Sequence, residues 1–269
     1  MKTRQKIFLS IVGILMVAYG FIGSAFAISG SSSDNKTIQT ISNNTLTIGL
    51  EGTYPPYSYR KNGKLTGFEI DLGKAVAQKM GLQAKFVPTK WDSLVAGLGA
   101  GKFDVIMNDI TQTPERAKQY DFSTPYIRSH YILILPADSQ ITSLRQIKGL
   151  KMAQSIGTNN ADVAKKYKAT VVPDQDFASS LDMIKQGRVD GSINNREAWY
   201  AYQKQNPNGT KGVKIIDVSK EEAPTKISAL FNKNSKALKK SYNQAIAELQ
   251  NNGTISRLSK KYFGTDISK

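Results

Sequence analysis

The feature that most constrains this chain is an alternation of two hydrophobic periods, run through twice. Residues 46–50 alternate apolar with small or polar side chains, as a half-buried strand does, before Pro55 and Pro56 force a turn and Asn62-Gly63 marks a tight hairpin. Residues 72–80 place Leu72, Val76 and Met80 four apart, with Glu69 or Asp71 as an acidic cap and Gly81 as the stop, which predicts a helix. Strand 85–87, a helix opened by Trp91-Asp92-Ser93 and strand 103–107 follow. After a buried strand at 131–135 the order begins afresh: strand 151–154, helix 157–167, strand 171–173, helix 177–186, strand 189–193 and helix 195–205. The tail adds a strand at 227–231 and helices at 236–250 and 255–263. Strands alternating with helices bury both faces of a mostly parallel sheet, so the fold class is α/β.

Two such units in 269 residues predict two lobes, each with its own core. Lobe 1 comprises residues 46–127 and 228–269, and lobe 2 residues 131–223. The chain must then cross between them twice, at 126–130 and 224–228, and two crossings side by side make a hinge. Ligands of open α/β sheets bind beyond the carboxyl ends of the strands, which places the expected site in the cleft between the lobes.

Residues 1–27 read as an export signal. Lys2, Arg4 and Lys6 precede a long apolar run, and Ala25-Phe26-Ala27 offers a small-residue cleavage site; an uncleaved anchor is the competing reading. Residues 28–45, rich in Ser, Asn and Thr, read as a flexible linker. Without a single Cys the chain has neither disulfides nor a lipid-modified thiol. Export without disulfides suits a bacterial envelope protein, either extracellular and held at a Gram-positive cell surface or periplasmic. The formal charge is +16, and loss of Lys2, Arg4 and Lys6 leaves +16 − 3 = +13. Such a field favours an anionic surface such as cell-wall polymer or host matrix, or serves only as a solvated basic face. The lysines lack the aromatic interleaving of a nucleic-acid site, so nucleic acid is excluded as a partner.

Chemistry concentrates between Asp104 and Tyr126, where a strand runs through a polar elbow into a helix opened by Pro114-Glu115-Arg116. An Arg on a first helical turn, with Thr111 and Thr113 close by in sequence, can hold a carboxylate in its planar fork. As a bare Arg it could equally pair with Glu115 or Asp121 on the surface. Gly97 to Lys102, GLGAGK, has the wrong glycine spacing for a phosphate loop and ends a helix instead of starting one. The single His130 has no ligand-spaced partner for a metal, and there is no G-x-S-x-G motif. These residues predict a binding protein with no catalytic residue, metal or cofactor.

From Leu46 to the C-terminus the chain resembles the bacterial extracellular solute-binding proteins, family 3, of polar amino-acid ABC transporters. GLEGTYPPY, GKLTGFEIDL, FDVIMNDITQTPERAKQYDFSTPY, the Gly157-Thr158 turn, QGRVDGSINN and LSKKYFG fall in the family's order. The segments GLEGTYPPYSY and PTKWD look most like cystine-binding members, and the basicity resembles that of surface-associated lactobacillal relatives. The resemblance implies a two-lobe, periplasmic-binding-protein-like (type II) fold with two crossing hinge strands. It implies a monomer that delivers an amino acid, L-cystine first, to a membrane permease. Arg116, Thr111 and the turn carrying Thr158 and Asn159 would hold the ligand carboxylate; Tyr54 and Trp91 would sandwich its side chain; Glu51 would read its distal group. The family's acceptor for the α-ammonium is an Asp, and the matching position here is Asn195, so either the ammonium would lean on Glu51 or Asp109 or the ligand preference has drifted from a simple α-amino acid. Two other functions stay open: an adhesin held by positive charge, and a dehydratase-like enzyme on the same fold with Glu51 and Asp109 as acid–base groups.

Overall fold

A computed structural model describes residues 38–268. The proposed signal at 1–27 and most of the linker lie outside the described residues. The linker's last residues are tied down: Ile38 packs against the core, and the Ile41 N–H donates to Asp104 Oδ1 over 2.8 Å.

The chain forms two five-stranded sheets. In the first, the strands run in the order Gln83–Pro88, Thr45–Leu50, Val105–Ile106, Leu230–Asn232 and Tyr120–Phe122. In the second, the order is Thr170–Pro173, Lys151–Gln154, Gly191–Asn195, Tyr131–Pro136 and Val213–Asp217. Three strands of each sheet are mutually parallel, as the alternation predicts. The other two differ. Leu230–Asn232 comes back from the second lobe and pairs antiparallel with both its neighbours. Tyr131–Pro136, arriving from the first lobe, runs antiparallel to Gly191–Asn195 and to Val213–Asp217, a strand the sequence reading did not mark. The sheets are therefore mixed because the chain crosses between lobes. At the crossings Ile127–Ser129 and Thr225–Ile227 pair antiparallel, with Lys226 opposite Arg128.

Each sheet buries both faces. Along Tyr131–Pro136 the odd residues Tyr131, Leu133 and Leu135 enter one core and Ile132 and Ile134 the other, which is why this segment reads as an unbroken apolar run. In the first lobe Leu46 and Leu72 pack with Tyr242 and Ile246 of helix Lys236–Asn251, while Leu94, Leu98 and Phe103 fill the opposite side. Gly97 of GLGAGK and Gly49 serve that packing: a Cβ at Gly97 would come within 2.9 Å of the Phe103 ring, and one at Gly49 within 2.6 Å.

Two local expectations change. Helix Phe68–Lys79 starts earlier than predicted, with Gly67 as its N-cap and no side-chain cap bond. Asp71 therefore lies inside the first turn, where it accepts from Lys261 Nζ (2.7 Å) and Tyr262 Oη (2.6 Å) of the C-terminal helix Thr254–Phe263. Asn195 ends a strand instead of opening a helix, since helix Arg196–Gln205 begins one residue later.

Candidate functional site

Arg116 is positioned by its own helix. In Pro114–Gln119, Pro114 takes the first turn and Thr113 caps it, its Oγ1 accepting from the Arg116 N–H at 3.2 Å. The guanidinium is half-buried. Its Nη1 donates to the Thr111 carbonyl (2.9 Å), its Nη2 donates to the Gly157 carbonyl of the other lobe (3.1 Å), and it lies 5.5 Å from the Trp91 ring centroid. Trp91 in turn donates its indole N–H to the Ile156 carbonyl over 2.9 Å. Facing them is the start of helix Asn159–Lys166, capped by Thr158, whose Oγ1 accepts from the Ala161 N–H. The N–H groups of such a first turn favour an anion.

Across the cavity stands Asp109. Its backbone is left-handed, with φ of 50°, and its N–H donates to both carboxylate oxygens of Glu69, at 2.9 and 3.1 Å. Glu69 is fully buried and also accepts from Tyr126 Oη at 2.5 Å; burial pushes its carboxyl up to about 7. Asp109 Oδ2 accepts from Asn195 Nδ2, while Oδ1 is buried without a protein partner. Burial, and then repulsion from Glu69 and Glu197, hold its carboxyl well above the usual range. Ionising Asp109 fully thus asks for a cation beside it.

Glu51, Tyr54, Trp91, Asp109, Thr158 and Asn159 line one cavity between the lobes. Three other expected residues do not. Thr111 faces a separate gap on the far side of Arg116, beside Tyr131, with its Oγ1 buried and unpartnered. Arg116 stands at the edge, its fork on two backbone carbonyls. Asn195, only 2% exposed, sits behind the wall, and it is Asn194 that lines the cavity, accepting from Tyr54 Oη at 2.6 Å. Tyr54 also stacks on Tyr57, ring centroids 5.3 Å apart. Glu51 forms a closed pair with Asn108: its N–H donates to Asn108 Oδ1, and Asn108 Nδ2 donates to its Oε2, both over 2.8 Å.

Sequence reasoning missed Asn108, Gln154, Ser155, Asp174, Asp176 and Asn194 as lining residues. A signal existed, since all six lie within three residues of the carboxyl end of a strand of the parallel trios, the place where the carboxyl-end rule puts ligands. The lobes are closed on one another by the bonds Tyr54–Asn194, Trp91–Ile156, Arg116–Gly157 and Asn195–Asp109. The cavity they bound is about 80 Å³.

Residues 46–265 match the family described as bacterial extracellular solute-binding proteins, family 3. The L-cystine-binding protein TcyA of Bacillus subtilis (strain 168) is 38% identical over 227 residues, 83% of this chain and 83% of its own. Among solved structures, the L-cystine solute receptor of Neisseria gonorrhoeae in the unliganded open conformation is 40% identical, with a TM-score of 0.58 over 84% of this chain and 95% of that one. An ancestral arginine-binding protein bound to arginine is 34% identical, with a TM-score of 0.73 over 82% of this chain and 99% of that one. The less identical but liganded structure superposes better than the open one, which agrees with the bonds that cross the cleft here.

Proposed function

The chain belongs to the bacterial extracellular solute-binding proteins, family 3, and from that premise we propose that it binds an amino acid between its lobes and delivers it to an ABC permease. One observation carries the reading: the first turn of helix Asn159–Lys166 and the buried carboxylate Asp109, whose Oδ1 has no partner in the protein, line one cavity, with the Arg116 guanidinium 5.5 Å from the Trp91 ring that lines it too. That is the polarity of an α-amino acid, with its carboxylate toward Arg116 and Thr158 and its ammonium toward Asp109. Asn195 then acts indirectly, by holding Asp109. Tyr54 and Trp91 flank the side chain. L-cystine is the first candidate, since TcyA and the gonococcal receptor are described as cystine proteins.

Lobe 1 (46–127 and 228–269) and lobe 2 (131–223) would move as rigid bodies about 126–130 and 224–228. Binding adds bonds through the ligand to the cross-cleft contacts, so affinity and closure rise together. The function is transfer without turnover, and a turnover assay with cyclic carboxylated substrates checks that. Residues 1–27 direct export and are then removed, and the remaining +13 charge holds the protein at an anionic surface; a wash in roughly 1 M salt, where the screening length is about 3 Å, should release it. Calorimetry and thermal shift on residues 28–269 with cystine and the polar amino acids test the main reading. Heat and a raised melting temperature with at least one are expected, and silence with all of them would overturn it.

A further inference from the structure

Beside the two crossings, the lobes share a third tie, the start of helix Arg196–Gln205 in lobe 2. Its residue Ala198 is fully buried in the core of lobe 1, with Tyr57, Ile127 and Ile227, while the next residue, Trp199, enters a core of lobe 2 with Ile132 and Ile134. One helical turn thus has a foot in each lobe.

That turn also holds the first crossing. The Arg196 N–H donates to the His130 carbonyl over 2.9 Å, and Glu197 reaches back, its Oε2 accepting from Ser129 Oγ at 2.8 Å and from the His130 N–H at 3.5 Å. Ser129 is fully buried at the place where the crossings meet: it pairs with Thr225, whose Oγ1 donates to the Ser129 carbonyl at 3.4 Å. From lobe 1, Tyr57 Oη lies 3.4 Å from the same Ser129 hydroxyl. One hydroxyl is therefore shared by a carboxylate of lobe 2 and a phenol of lobe 1.

Local helix chemistry does not call for a buried acid here. An acid in a first helical turn is favoured by the helix dipole whether or not it is buried. Glu197 is buried, its Oε1 has no hydrogen-bond partner, and the cation 3.5 Å from that oxygen, Arg196 Nη2, belongs to a guanidinium that also faces Asp217 at 3.6 Å. A buried carboxylate so incompletely satisfied is costly. The two residues before this turn face the cleft: Asn194 accepts from Tyr54, which stacks on Tyr57, and Asn195 donates to Asp109. Residues 194–197 thus make the contacts across the cleft and the contacts at the pivot in one short stretch.

We propose that Glu197 is a positioning residue for closure: by holding Ser129 it fixes the first crossing to lobe 2 at the angle where Tyr54 meets Asn194 and Asn195 meets Asp109. It touches no ligand and acts through Ser129. Loss of a bond that belongs to the closed arrangement shifts the population toward others. The proposal goes beyond the amino-acid reading, and only its binding arm rests on that reading.

The chain has no Cys, so residues 28–269 carrying Lys102→Cys in lobe 1 and Lys148→Cys in lobe 2, both exposed, take a dye pair for single-molecule energy transfer between the lobes. Without ligand, Ser129→Ala and Glu197→Met should lengthen and broaden the distance between the lobes. Glu197→Gln, which keeps an acceptor for Ser129, should retain the parent's distances. The double variant should shift no further than Glu197→Met alone, because the two residues form one bond. In calorimetry on the cysteine-free chain, Ser129→Ala should weaken L-cystine by about tenfold, the size expected for a hydrogen bond to a charged group. Parent-like distances in Ser129→Ala overturn the proposal, as does Glu197→Gln behaving like Glu197→Met or a double variant showing the sum of the single shifts. Should Glu197→Met fail to fold, Ser129→Ala and Glu197→Gln still decide. A parent that binds no amino acid overturns the cleft reading, and the ligand-free distances still judge the pivot.

Discussion

Replacing Asp109 by Asn should move affinity and stability in opposite directions. The substitution keeps shape and keeps an oxygen facing Asn195, but removes the carboxylate whose Oδ1 is buried and unpartnered at the inner cavity. A ligand ammonium then faces a neutral amide. Losing one partner of a buried, hydrogen-bonded charge pair costs about 2–5 kcal/mol. At about 1.4 kcal/mol per tenfold, that is a rise in Kd of roughly 30- to 5,000-fold. In the unliganded protein the sign reverses. Asp109 is raised by burial and by repulsion from Glu69 and Glu197, so at pH 8 its charge works against folding, and a neutral side chain relieves it. Urea unfolding at pH 8 should give a higher midpoint for the variant, while calorimetry gives the weaker binding. In the parent, affinity should rise with pH as Asp109 ionises, because only the ionised form pairs with the ammonium, and the variant should lose that rise. A variant that binds like the parent, or one that loses stability together with affinity, would refute the assignment.

Arg116→Ala should weaken amino-acid binding by about 2–5 kcal/mol in calorimetry while secondary structure by circular dichroism stays unchanged, since the side chain is half-buried and its helix is capped by Thr113. Glu69, ordinarily near 4.5 and here about 7, holds its proton more tightly when folded, so its contribution to stability is full below pH 4.5 and is lost as pH rises through 7. The difference, 7 − 4.5 = 2.5, amounts to about 3 kcal/mol at about 1.4 kcal/mol per unit, and Glu69→Gln should flatten the pH dependence of urea midpoints by about that much. Gly49→Ala would press a Cβ to 2.6 Å from a Phe103 ring already hemmed in by Gly97, costing about 1–3 kcal/mol in chemical denaturation. Asn195→Asp alone should lower stability at pH 8 by adding a buried acid against Asp109, and adding Asp109→Asn should restore stability but not amino-acid binding, because residue 195 sits behind the cavity wall.

The order of elements was legible because hydrophobic period is a local property: 72–80 and 151–154 announce themselves without knowledge of their neighbours. The helix start that carries Arg116 was legible for the same reason, since Thr113, Pro114 and Arg116 form one turn. What could not be read depends on pairing at long range. Glu69 looks like a helix-opening acid, and it becomes a buried, proton-holding group through Asp109, 40 residues away, and Tyr126, 57 away. Val213–Asp217 lacks any local signal beyond a few apolar residues and exists because Tyr131–Pro136 offers it an edge. Asn195 was assigned to the ligand from its place in a motif, yet a shift of the strand end and the presence of Asp109 turn it inward.

That inward turn bears on how one fold can keep an ammonium site while its residues change. Asp109, Glu69 and Glu197 already place three carboxylates in one buried region, and the first of them is destabilised by the other two. An acid at 195 would add a fourth, directly against Asp109 Oδ2. Asn at 195 instead donates to that oxygen and lowers the cost of its charge, leaving Oδ1 for a cation. With Asp109 as the proposed ammonium acceptor, the charge stands on lobe 1, on the wall pinned by Glu69, and Arg116 of the same lobe is held by Thr113 and the Thr111 carbonyl. Under that proposal an amino acid engages both its charged groups, and Glu51, Tyr54 and Trp91, on the open lobe 1, and lobe 2 adds Thr158 and Asn194 as it closes, so both lobes discriminate among side chains.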